Sequence, residues 1–300
     1  MKDTKKYHKI KKHEPATVLA HIVFIILAIC CIMPMILVLV ISFSSSKSIT
    51  EVGYSLFPAE WSLDAYKYIF KDSAMLVRSY GITIFNTVIG SSVGLILSSM
   101  MAYALSRRGY KLRTLFSFLV FFTMIFSAGL IPQYITYTKF YHMRDSLAAV
   151  ILPGLVTGWN VILLRTFFYD LPEEVLESGA MDGCSEFGLY WRIAMPMMKP
   201  GLATVGLTMV LGYWNEWYRT MIYIDSSSKF DLQYMLYRLL KNAEALQQDA
   251  AAGLGYVDAN FVSDTTKMAM VILAAGPMMF VFPFFQKYFV RGISTGAVKG

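Results

Sequence analysis

Long apolar runs alternate along this chain with short polar segments. A helix of about 20 apolar residues crosses the hydrocarbon layer of a bilayer. Only helices and closed barrels can satisfy their backbone groups there. Six runs meet the length requirement: 16–43, 81–105, 114–134, 146–168, 200–222 and 268–289. No ten-residue alternating pattern points to a barrel. The fifth run has only 16 uncharged residues, 200–215. It spans if the helix continues through Glu216 and Arg219, which at i and i+3 would share a face and could pair. Pro34, Pro153, Pro277 and Pro283 fall inside runs, as membrane helices tolerate. Between the fifth and sixth runs, 232–245 has the pattern of an amphipathic surface helix.

Composition agrees with the pattern. Hydrophobic residues make up 56% of the chain and charged residues only 16%, against about 25% charged in soluble domains. The expected class is an all-α polytopic membrane protein with six transmembrane helices. The net charge of +7 could point to nucleic acid, but no zinc-finger spacing or other nucleic-acid module is visible. Lys2, Lys5, Lys6, Lys9, Lys11 and Lys12 instead crowd the segment before the first run, as a cytoplasmic anchor does. That run is about twice the length of a signal-peptide core and lacks a clean small-x-small site, so it is expected to stay as a span.

Six spans put both termini on one side, and basic residues choose the side. The N-tail lysines are matched by Arg107, Arg108, Lys111 and Arg113, by Arg165, Arg192 and Lys199, and by Lys287, Arg291 and Lys299. Together these are 16 of the 27 basic residues. The expected order is a cytoplasmic basic tail over 1–15, a first span over 16–43 and an outer loop over 44–80. A five-helix domain over 81–289 and a cytoplasmic tail over 290–300 follow. Two further outer loops surround 139–145 and 225–267.

The cytoplasmic segment between the fourth and fifth runs, 170–200, is the most informative. Pro172 suits a first helical position, and Glu173 and Glu174 suit the positive end of a helix. Val175, Leu176, Gly179 and Ala180 follow at helical spacing. Gly183 then ends the helix. A second helical piece leads to Ile193 and a break at Pro196.

Here the sequence resembles the permeases of binding-protein-dependent ABC importers. Their loop motif runs Glu-Ala-Ala, three residues, Gly, nine residues, Ile, one residue, Leu-Pro. This chain has Glu177, Ser178 and Gly179, then Gly183, Ile193, Met195 and Pro196 at that spacing, with the usual Asp-Gly as Asp182-Gly183. Ser178, Gly179 and Met195 depart in identity but keep small and apolar character. Ser127 to Pro132, Trp214-Asn215-Glu216-Trp217, and the tail 286–292 with 296–300 are similar to the oligosaccharide group. The resemblance implies a type I ABC importer fold in a bacterial cell membrane. It also implies a coupling helix, Glu177, Ser178, Gly179, Ala180, Asp182 and Gly183, docked on a cytoplasmic ATPase, with Ile193 and Pro196 supporting the loop. The implied partners are a homologous second permease, two copies of the ATPase subunit, an extracytoplasmic solute-binding protein and an oligosaccharide, which in this group includes acidic plant-derived ones.

Trp214, Asn215, Glu216, Trp217 and Tyr218 have two readings. Aromatic faces with an amide and a carboxylate can line a sugar pathway. The same residues can form an interfacial belt and pack helices. His21 reads as an interface group, and Cys30, Cys31 and Cys184 as inert thiols. No metal-ligand spacing or catalytic set is evident. No phosphate-binding Gly-x-x-x-x-Gly-Lys-Ser/Thr occurs, so ATP and Mg are expected on the partner, and this chain is a transporter subunit rather than an enzyme. The alternatives are a permease for amino acids or ions, which the loop motif also fits, and an ion-coupled secondary transporter. The latter needs mid-span ionisable groups and an internal repeat. Glu216, near a span end, is the only acidic candidate, and no clear repeat is visible.

The basic-residue asymmetry gives a topology test. Reporters fused after Gly300 and within 106–113 should both read cytoplasmic. A C-terminal reporter on the outside would mean an odd number of spans.

Overall fold

The computed structural model describes residues 15–251 and 264–296. The N-tail lysines therefore lie outside the described residues. So do residues 297–300 and the side chains from Lys287 onward. The first apolar run forms α1 (Pro15–Ser42), within a residue of its predicted ends. The expected outer loop holds two short helices, α2 (Ser46–Val52) and α3 (Asp64–Ile69). It ends sooner than predicted, because α4 (Ser73–Ser106) starts eight residues ahead of the apolar run. Hydropathy marks where lipid begins, whereas α4, about 51 Å long at 1.5 Å per residue, continues past it with Arg78 in its early turns.

The next three spans are each interrupted. The run 114–134 is not one helix. It forms α5 (Arg113–Ile125), a break, and α6 (Leu130–Ile135) with a wide turn to Phe140, and the two arms meet at 114°. Gly129 has φ +85°, and Pro132 in a continuous helix would clash with the carbonyl four residues back. The fourth run splits into α7 (Leu147–Ile151), a 3₁₀ turn at Leu152–Gly154 and α8 (Gly158–Tyr169), bent by 41°. Pro153 sits in the break. The segment 170–200 gives α9 (Glu173–Met181), α10 (Glu186–Leu189) and α11 (Met195–Met197). It turns by 83° into α12 (Lys199–Trp214).

The fifth span does not run on through Glu216. α12 stops at Trp214, and α13 (Tyr218–Tyr223) is a new helix. The Glu216 carboxylate accepts the Arg219 backbone N–H at 2.9 Å and so begins that helix. The predicted Glu216–Arg219 pair exists, at 2.8 Å, but through this cap and not through a shared face of one long helix. α14 (Leu232–Ala251) extends the predicted amphipathic piece, and α15 (Asp264–Gly296) carries Pro277 and Pro283 inside it. Among the described residues three helices are individually long and apolar enough to cross a membrane, and counting each of the three bent pairs as one span brings the number to six.

The described residues divide into two compact units. The first holds α1 to α3 and the start of α15 as far as Ile272; the second runs from Phe70 to Gln248 and resumes at Leu273. In the first, Tyr66 stacks on Phe43 at 4.9 Å and shares a 2.9 Å hydrogen bond with Ser42. Tyr54 donates to Asp264 at 2.6 Å.

In the second unit α4 packs along both α8 and α12. Its buried face is built from small residues, among them Gly90, Gly94, Ser98, Ser99 and Ala102, which let helix backbones approach closely in a membrane. The ring of Tyr213 fills the space over Gly90: a Cβ there would lie 2.5–2.7 Å from three ring carbons. Toward the loop motif, Ala102, Leu105, Val161, Leu164, Leu176, Tyr190 and Val205 form one apolar core.

Two polar clusters fix the loops at the other end. The Asp145 carboxylate accepts from Lys229 Nζ at 2.8 Å, Ser226 Oγ at 2.6 Å and the backbone N–H groups of Asp225 and Ser226. Lys229 first, then Ser226, hold its carboxyl well below the usual range. Asp231 caps α14: it accepts the Tyr234 N–H at 2.8 Å and the Thr220 hydroxyl. The Leu232 N–H goes to Thr83 Oγ1 at 2.8 Å. Burial pushes the Asp231 carboxyl up to about 7.

Two outcomes follow from these contacts. Gly90→Val should cost about 1–3 kcal/mol through overpacking against Tyr213, read as a lower melting temperature of the purified protein; an unchanged value would refute that tight approach. For Asp231, burial makes the folded carboxyl titrate above the ordinary aspartate value of 3.8. Its contribution to stability is complete below about pH 4 and falls as pH rises through about 7. Asp231→Asn keeps the cap and a partner for Thr220, so it should flatten that part of the stability–pH curve. An unchanged slope would show that Asp231 does not carry it.

Candidate functional site

The loop motif lies on α9 and the turn after it. Pro172 stands one place before the helix as its N-cap, not at the predicted first position. Glu173 and Glu174 occupy the first turn, near the positive end of the helix dipole. At the other end the Gly183 N–H donates to the Ala180 carbonyl at 3.0 Å, and the Cys184 N–H to that of Gly179 at 3.1 Å. This is the Schellman pattern, which needs a left-handed residue after the cap, and Gly183 has φ +82°. Ser185 then caps α10 by accepting the Gly188 N–H at 3.2 Å.

The two faces of α9 differ in role. Glu177, Ser178, Ala180, Asp182 and Gly183 are exposed, beside the apolar side chains of Met181 (88% exposed) and Phe187 (61%). Gly179 is buried. A Cβ there would come within 2.5 Å of Ile193 and 2.7 Å of Leu189. Its small size therefore serves packing of α9 on the chain's own next turn, with Ile193 and Leu189 over it. Pro196 is exposed within α11. Ion pairs bind this assembly to the end of α4: Arg108 to Glu173 at 3.5 Å, and Arg107 to Glu186 at 3.7 Å. The Tyr103 hydroxyl also donates to Glu186, at 3.2 Å. Exposed pairs contribute about 0–1 kcal/mol each, so they orient the loop more than they stabilise it.

The second site is where the fourth and fifth spans break. Pro153 and the 3₁₀ turn free carbonyls of α7. The Tyr213 hydroxyl donates to the Ile151 carbonyl at 2.8 Å, and Arg219 Nη1 reaches that of Val150 at 3.5 Å. Between the breaks lies a cavity of about 320 Å³, whose polar lining is Thr157, Asn160, Thr208, Tyr213, Glu216 and Arg219. Thr157 caps α8 with its side chain. Glu216 and Arg219 neutralise each other across 2.8 Å.

The five predicted pathway residues part company here. Glu216 lines the cavity. Trp214 does not; it is 4% exposed and donates its indole N–H to the Ala274 carbonyl at 2.8 Å, so it packs helices. Asn215 is exposed, donates to the Leu211 carbonyl and accepts from Gln233. Trp217 and Tyr218 are partly exposed and contact each other at 5.8 Å. Thr157, Asn160, Thr208 and Tyr213 were missed. Their signal was isolated polar groups in apolar runs, two of them just after Pro153-Gly154. Among the described residues no group of His, Cys, Asp or Glu could hold a metal ion.

Residues 94–295 match the family described as binding-protein-dependent transport system inner membrane component. The chain is 38% identical to Protein LplC of Bacillus subtilis over 271 residues, covering 90% of each. It is 36% identical to the polygalacturonan/rhamnogalacturonan transport system permease protein YtcP of the same organism, over 91% of this chain and 94% of that one. A crystal structure of a bacterial ABC transporter involved in import of the acidic polysaccharide alginate contains a chain with the same fold. The TM-score is 0.77 at 27% identity, over 92% of this chain and 99% of that one. With two thirds of its length inside the family match, and relatives aligned almost end to end, the chain belongs to the inner-membrane permease components of binding-protein-dependent ABC transport systems.

Proposed function

We propose that this chain is the permease subunit through which an oligosaccharide, of the acidic plant-derived kind, enters the cell. The observation that carries the proposal is the coincidence of two broken spans around one polar cavity. Irregular backbone at membrane depth is tolerated where it is buried in protein or lines a water-filled cavity, and about 320 Å³ is at the lower end of the ~300–1,000 Å³ of ligand sites. Hydroxyls, an amide and a carboxylate–guanidinium pair suit sugar hydroxyls. The cargo class is supported by YtcP, named for polygalacturonan and rhamnogalacturonan transport, and by the alginate importer.

In this reading both termini face the cytoplasm, as does the loop of α9 to α11. The chain pairs with a second permease, two ATPase subunits and an extracytoplasmic binding protein. ATP and Mg act on the ATPase. The exposed face of α9, with Glu177, Ser178, Ala180, Met181 and Asp182, docks there. Gly179 and Leu176, on the buried face, tie α9 to the core that contains α4 and α12. Movement of α9 then shifts the spans around the cavity, alternating its access.

The cargo test is uptake by cells lacking the chain, complemented or not, over a panel of oligosaccharides. Complementation should restore uptake of uronate oligomers, and restoration of amino-acid or ion uptake instead would overturn the assignment. For coupling, Gly183→Val forces a left-handed conformation costing roughly 1–2 kcal/mol or more in a β-branched residue, with no steric clash added, since a Cβ there meets nothing within 4 Å. Gly183→Asn tolerates that conformation and should retain function. Gly183→Val and Glu177→Lys should insert normally yet abolish uptake, with ATP hydrolysis no longer stimulated by loaded binding protein. Normal stimulated hydrolysis in both would sink the coupling role.

A further inference from the structure

The cavity is too small for several sugar rings at once, so an oligomer on its way through needs a second surface for the rings outside it. Next to Glu216 in the chain, Trp217 is 37% exposed. Its ring lies 4.8 Å from that of Tyr237 on α14, at 31°. Tyr237 in turn stacks with Tyr234 at 6.4 Å and 21°. Gln233, one turn before Tyr237, donates to Asn215 at 3.5 Å. The buried face of α14 is Leu232, Met235 and Leu236, so Gln233 and Tyr237 belong to the face beside it. Arg238 is exposed, with its guanidinium 5.0 Å over the Phe230 ring.

We infer that Trp217, Tyr237, Asn215 and Gln233 form an outer saccharide subsite, which receives a sugar ring of the oligomer before it enters the cavity. The inference rests on the transport of oligosaccharides proposed above. The C–H face of a pyranose ring meets the negative face of an aromatic ring. The two amides, already aligned by their mutual hydrogen bond, offer a donor and an acceptor to ring hydroxyls. The cation over the Tyr237 ring is Lys241, 5.9 Å from its centroid and held by Glu244 at 2.8 Å, while the Arg238 guanidinium sits over Phe230, so neither is assigned to the subsite. An aromatic belt at the bilayer surface would use the rings alike, but it does not need the paired amides.

The test uses the complete transporter in lipid vesicles, loaded through its binding protein. The probes are galacturonic-acid oligomers of two to six units and neutral galactose oligomers of the same lengths. Trp217→Ala and Tyr237→Ala should raise KM for the longer oligomers of both series by about tenfold, with kcat little changed, while Tyr237→Phe stays near wild type. Arg238→Gln, at a residue packed over Phe230 and outside the subsite, should leave KM for both series near wild type. Unchanged KM in every variant, with normal wild-type uptake, overturns the subsite and leaves the cargo assignment standing. A loss of assembled complex in both alanine variants, with uptake per assembled complex unchanged, also overturns it and assigns the rings to a belt. Wild-type vesicles that take up neither series overturn the cargo assignment and the subsite together.

Discussion

A carbonyl set free inside lipid must find a donor or the helix cannot stay broken. In this protein the freed carbonyls are those of Val150 and Ile151, and their donors are the Arg219 guanidinium and the Tyr213 hydroxyl. Much of the second unit is arranged around that exchange. Tyr213 reaches Ile151 only because Gly90 leaves room for its ring and Gly154 for its oxygen. Arg219 is held in place because Glu216, which starts α13, also pairs with it. The fifth span breaks where it does so that its fragments can satisfy the break in the fourth.

The long helix α4 gives these broken elements a continuous reference. Its small-residue face takes α8 and α12. At one end Thr83 receives the Leu232 N–H, and at the other Arg107 and Arg108 hold the loop motif through Glu186 and Glu173. One uninterrupted helix therefore touches the start of α14, the flanks of the cavity and the loop that resembles a coupling element.

What the sequence made legible follows from what each signal measures. Hydropathy located the apolar runs, and it placed α1 within a residue because most of that helix is exposed and only its last turns pack, so little complicates the pattern. It could not see the interruptions at Gly129, Pro153 and Asn215, because a window average is blind to backbone continuity and the apolar residues continue on both sides. The motif spacing located α9 and its glycine stop, since a left-handed C-cap is a local demand. It misassigned the small residue at 179, because spacing does not say which neighbour approaches. The polar residues Asn160 and Thr208 were passed over singly; only the fold brings them to one wall.

The mutual neutralisation of Glu216 and Arg219 has a bearing on how cargo could move. Both side chains already have duties in the backbone of the broken spans, so neither is free to seize a passing anion. A wall of this kind offers many weak contacts and no deep well. A solute that must leave as readily as it arrives is best served by such shallow ground, since tight binding there would turn a conduit into a trap. In the transport reading proposed above, discrimination between solutes then falls to a step before this cavity.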